Sequence, residues 1–156
     1  MPLKNYSTKI PSERTIAEIE KILATHGVTD IWKKYNGAGQ VTAVNFVVDT
    51  EFGKMPFRLP MKPDAVQQIL KDQKNSGKLK KIPWRMIENM DHAHSIGWRI
   101  IKDWIAAQMA LIEIEMVTIE QVFLPYAYDL VKEETLYDKL KTKRFAGLLA
   151  DPDDKG

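Results

Sequence analysis

The sequence predicts an α+β fold: a three-stranded antiparallel meander in α-β-β-β-α order, packed on a long central helix, with additional C-terminal helices. Three observations carry that expectation. First, residues 84–115 form one long amphipathic run in which Ile100, Trp104, Ala107 and Leu111, and likewise Trp98, Ile101, Ile105 and Ile112, recur at helical spacing. Together they make an apolar arc broad enough to meet two layers, with Arg99, Lys102, Asp103 and Glu113 on the remaining face. Second, three short runs with the period-two alternation of strands precede it. Third, no internal repeat or low-complexity tract interrupts the order, so sheet and helices are expected to form layers of one domain over residues 1–150. The acidic segment DPDDKG at 151–156 is expected to fray as a disordered tail.

The elements follow in order. Ser12 is placed to cap a first helix whose apolar stripe is Ile16, Ile19, Ile22 and Leu23, and Gly27 ends it by taking a left-handed conformation at low cost. Residues 29–35 (TDIWKKY) read as the first strand and NGAGQ as a turn rich in residues that tolerate positive φ. In the second strand Val44, Phe46 and Val48 point one way, and Ala43, Asn45 and Val47 the other. The third strand carries Met55, Phe57 and Leu59 on one face. Pro56 offers no N–H to a ladder, which assigns this strand to an edge. Residues 6–10 could add a fourth strand.

A short helix over residues 64–71 should turn Val66, Ile69 and Leu70 toward the core, and 72–81 should form an exposed, lysine-rich loop. Pro83 suits the start of the central helix. Gly97 inside that helix lowers propensity by about 1 kcal/mol, so it marks either a close crossing or a kink. Thr118 and Gln121 have the spacing of a capping box before a short helix that Pro125 interrupts, and residues 134–145 are expected to form the last helix.

Composition narrows the function classes. With 44% hydrophobic and 28% charged residues, the 156-residue chain has the make-up of an ordinary globular protein. The absence of cysteine excludes disulfides, thiolate metal sites and cysteine nucleophiles. No apolar run suits a signal peptide or a membrane span, and a cytoplasmic protein without membrane contact is expected. No cofactor is implied: the glycines of NGAGQ join two strands rather than feeding a helix, unlike a phosphate cradle. No G-x-S-x-G run or nucleophile-base order is present, so the reading is non-enzymatic. Glu88, Asp91 and His92 would cluster at i, i+3 and i+4 on a continuous helix, yet no matching second motif exists to complete a metal site. Asp91, His92 and His94 are therefore expected to be a solvated polar stretch, and His26 to complement a helix C-terminus.

The net charge of +2 is small, but its distribution is uneven. Lys71, Lys74, Lys78, Lys80, Lys81 and Arg85 crowd one stretch against Asp72 alone. Lys74, Lys78, Lys80, Lys81 and Arg85 are candidates to neutralise phosphates, with Trp84 to stack on a base and Arg58 to extend the track across the sheet. Lys33, Lys34, Trp32 and Tyr35 could enlarge that surface. A second candidate surface is the apolar, proline-broken segment VFLPYAY, where Val122, Phe123, Leu124, Tyr126 and Tyr128 could dock a partner or a second copy.

The run AHSIGWRIIKDWIAAQMALIE, together with VFLPY and MPFRLP, resembles a group of short proteins from phage and metagenomic genomes, over most of residues 10–140. That resemblance implies a mobile-element setting and brings no activity or site residue with it. The order helix, three-stranded meander, long helix also resembles the core of single-strand annealing proteins, which implies oligomers that bind single-stranded DNA in a basic groove. The expected function is thus a non-enzymatic, homo-oligomeric nucleic-acid-binding protein. The alternative is a protein-interaction or assembly module using its C-terminal helical surface.

Overall fold

The expected layers are present in the computed structural model, which describes residues 1–149; the acidic tail at 151–156 lies outside the described residues. Helix α1 (Ser12–Ala24) leads into strands β1 (Val28–Tyr35), β2 (Val41–Thr50) and β3 (Gly53–Pro60), an antiparallel sheet in the order β1-β2-β3. Helix α2 (Pro63–Asn75), the single turn α3 (Trp84–Ile87) and the long α4 (Met90–Glu113) follow. The chain closes with α5 (Ile119–Phe123), a 3-10 turn at Leu124–Tyr126, a short hairpin of two-residue strands β4 (Tyr128–Asp129) and β5 (Glu134–Thr135), and α6 (Leu136–Thr142). Among the described residues no helix is both long and apolar enough to cross a membrane.

Register decides which side chains meet. Ile31, Phe46 and Phe57 align across the strands on one face, and Trp32, Asn45 and Arg58 on the other. The first face carries Val44, Phe46, Val48, Phe57 and Leu59 into a core shared with Ile16, Ile19 and Leu23 of α1 and Trp98, Ile105 and Met109 of α4. Aromatic rings fix its centre. Phe46 and Phe57 stack with centroids 5.3 Å apart, and Phe123 meets Phe46 edge-on at 5.1 Å and Trp104 at 5.6 Å. The buried Trp98 donates its Nε1–H to the Val41 carbonyl at 3.2 Å, tying α4 to the sheet with its one polar atom satisfied. Arg99 and Glu18 join α4 to α1 at 2.6 Å. A second cluster, Leu70, Leu79, Ile87 and Ile96, seals α2 and α3 onto the other side of α4.

As Pro56 implies, β3 is an edge strand, and its outer side is taken by the chain itself, through a bridge between Phe57 and Ala127. Several local expectations differ. Residues 84–115 form two helices: Glu88 closes α3, and the Asn89 side chain accepts the Asp91 N–H to start α4. Helix α4 runs unbroken through Gly97. That glycine is the close crossing: a Cβ there would lie 2.5 Å from Met61 Sδ. Ser12 makes no cap bond, because the N-cap is Pro11. Residues 6–10 form no strand; turns at Tyr6 and Thr8 fold that segment on itself instead. Helix α2 runs on to Asn75, and Ile69 faces solvent. The last helix starts two residues later than expected, where Thr135 and Asp138 form a reciprocal capping box.

Candidate nucleic-acid interface

The basic stretch is built by a helix end. At the C-terminus of α2, Gly77 takes φ +85°, which lets the Lys78 N–H reach the Gln73 carbonyl at 2.9 Å and the Gly77 N–H reach Lys74 at 3.2 Å. These are the two bonds of a Schellman motif, and they turn the chain sharply back on itself. Leu79 then enters the second core cluster, with Ile82 packed against it. Lys78, Lys80 and Lys81, set between these inward-pointing residues, are left facing water, as is Arg85.

Lys74 has a different role from its neighbours. Its ammonium donates to the carbonyls of Leu79 at 3.3 Å and Lys80 at 3.0 Å, clamping the loop from inside, and lies 6.0 Å from the Trp84 ring centroid. Trp84 is 43% exposed, so it is a surface ring beside the cations rather than a core residue. Among the described residues none of Lys78, Lys80, Lys81 and Arg85 pairs with a carboxylate, whereas Lys4, Arg14, Lys33, Arg99, Lys102 and Lys139 all do.

Arg58 stands apart from this group. It shares a cleft with Lys62 and Val66 at the start of α2, whereas the loop follows the other end of that helix, which is about 18 Å long at 1.5 Å per residue. Its Nε–H donates to Asn45 Oδ1 at 2.7 Å, and its guanidinium lies 4.0 Å over the Tyr128 ring. It lines a cleft of about 740 Å³ together with Lys62, Lys141, Tyr126, Tyr128 and Tyr137. Lys62 and Lys141 were not anticipated: they are far apart in sequence, and only the docking of the C-terminal hairpin onto the sheet brings them together.

On the sheet, Trp32 and Lys34 share the outer face with Arg58 and are exposed, whereas Lys33 is on the opposite face, bonded to Glu20 at 3.1 Å. That hydrogen bond is the main reason its ammonium is held above the ordinary lysine value. The C-terminal segment divides. Phe123 is fully buried in the aromatic cluster and therefore withdrawn from any partner, whereas Tyr128, nearly buried beneath Arg58, still lines the cleft. Val122 and Tyr126 are half-buried, leaving Leu124 exposed with Leu130 and Val131 further along.

The polar stretch of α4 is not uniformly solvated. His94 is only 2% exposed, and neither ring nitrogen finds a hydrogen-bond partner among the described residues. Burial holds its pKa below the ordinary 6.5, against a smaller opposing pull from Asp91. The helix break separates Glu88 from Asp91 and His92. Asp91 accepts from Gln40 at 2.6 Å, and His92 Nε2 lies 2.8 Å from the Tyr6 carbonyl. Among the described residues no three side chains of metal-ligand type come together. His26, at the end of α1, lies 3.0 Å from Glu113 as well as 2.7 Å from the Ile22 carbonyl.

Comparison with protein-family models, with curated proteins and with solved structures found no match.

Proposed function

We propose that the protein is a non-enzymatic nucleic-acid-binding protein that engages phosphates through the clamped loop between α2 and α3. One observation carries this reading: Lys78, Lys80, Lys81 and Arg85 are exposed and free of carboxylate partners among the described residues, in the same short stretch of chain as the exposed Trp84. Cations without internal partners keep their full attraction for a polyanion, and a neighbouring indole supplies a surface for stacking a base. The Lys74 clamp orders the backbone in advance, which lowers the entropy lost on binding. Single strands are the favoured ligand, because an indole can stack only on a base that is not already stacked in a duplex.

Titration of fluorescent single- and double-stranded oligonucleotides at two salt concentrations tests the proposal. The expected result is single-strand binding that weakens steeply with salt. Charge reversal at Lys78, Lys80 and Lys81 together should lower the affinity by at least about tenfold and flatten the salt slope by roughly two units or more. Trp84→Ala should weaken binding with the salt slope unchanged. Binding that is absent, or that is indifferent to salt and to these substitutions, eliminates the proposal.

A further inference from the structure

The unpaired edge of the sheet is self-complementary, and we propose that it joins two copies of this chain through antiparallel pairing of β1 with β1. Strand β1 has a ladder partner on one side only, and no other described backbone group bonds to it in a strand or bridge. Its register with β2 is irregular between Val28 and Asp30 and again between Lys34 and Tyr35. The regular segment is therefore Asp30–Lys34, and Trp32 is its midpoint.

A two-fold axis normal to the sheet at Trp32 pairs the whole regular segment with itself and keeps like faces together. In that register Trp32 meets Trp32 of the copy, and Asp30 meets Lys34 of the copy, twice by symmetry. All three side chains lie on the outer face, aligned with Val47, Asn45 and Ala43 of β2. Neither Asp30 nor Lys34 has an ion-pair partner among the described residues of its own chain. On the inner face Ile31 meets Lys33 of the copy, whose ammonium is already held by Glu20 and whose methylene stem can lie over the isoleucine. Moving the axis by one residue toward the C-terminus would set Lys33 against Lys33, which like-charge repulsion opposes. Lysines and bulges on an edge ordinarily discourage pairing. Here the aspartate two residues before the midpoint neutralises the lysine two residues after it, and the irregularities bound the pairing to one register. Trp32, 36% exposed on the single chain, is covered in the pair.

Sedimentation velocity of the full chain over a range of concentrations tests this by charge exchange. The wild type is expected to approach twice the 17.9 kDa chain mass as concentration rises. Lys34→Asp or Asp30→Lys alone sets like charges opposite each other and should weaken association by about tenfold or more. The double variant Asp30→Lys with Lys34→Asp restores opposite pairs and should restore the dimer, with circular dichroism confirming the fold of each variant. A wild type that remains monomeric overturns the inference, as does a dimer unmoved by the single reversals. The inference is independent of nucleic-acid binding: a monomer that binds oligonucleotides removes only the dimer, and a dimer that binds none removes only the proposed function.

Discussion

Gly97 and His94 both sit on the buried face of α4, and the two were not equally legible in the sequence. A glycine within a strong helical pattern signals either close approach or distortion, and the Met61 side chain lying where a Cβ would be decides for close approach. Gly97→Val should destabilise the protein by about 1–3 kcal/mol, measured by urea unfolding, because its branches would strike Met61 and Val66. Gly97→Ala should cost much less: the helix gains about 1 kcal/mol of propensity, and unbranched Met61 can withdraw into the cleft it lines. The burial of His94 is not legible in the sequence, because a histidine in a run with Asp91, His92 and Ser95 is usually wet. Its burial has a pH consequence. With the folded-state pKa depressed, the unfolded chain takes up the proton more readily, so stability is fully present above about 6.5 and is lost as the pH falls below it. The urea midpoint should therefore drop between about pH 7 and pH 5, and His94→Leu should flatten that slope. Asp103 acts in a lower window. Burial pushes its carboxyl up, but bonds from Asn5 and Lys4 outweigh this and hold it below 3.8, so its contribution fades only under more acidic conditions.

At the scale of elements, patterning and end signals carried most of the information. The three strands, the edge position of β3, the glycine-led turn after α1 and the Thr118–Gln121 box are all present. The break between α3 and α4 was hidden because residues on both sides keep a helical apolar period, and only the Asn89 cap reveals it. Ser12 shows the converse: a residue suited to capping is left unused when the preceding proline already holds the extended conformation required of an N-cap. Lys74 was grouped with the other lysines by composition, and composition cannot distinguish a clamp from a free cation. Lys74→Met keeps the aliphatic stem and removes the donors to Leu79 and Lys80. Amide exchange across residues 78–82 should accelerate by about tenfold or more, with helices α1 and α4 unaffected.

At the scale of the whole molecule, the layer order was legible and the convergence of distant side chains was not. The C-terminal hairpin is pinned by Asp129, whose carboxyl is held at about 2 by the Lys139 bond together with the N–H groups of Lys132 and Val131. Its docking beside β3 creates the Arg58–Lys62–Lys141 cleft, and no periodicity or motif encodes that docking. The same docking occupies the flank of β3, where Pro56 and Pro60 already lack N–H donors and Ala127 supplies the bridge. A sheet blocked along one side can extend only from the other, and a contact symmetric about its own centre is used up once it forms. Concentrated solutions should accordingly stop at discrete particles, with no cross-β fibrils built from the native sheet.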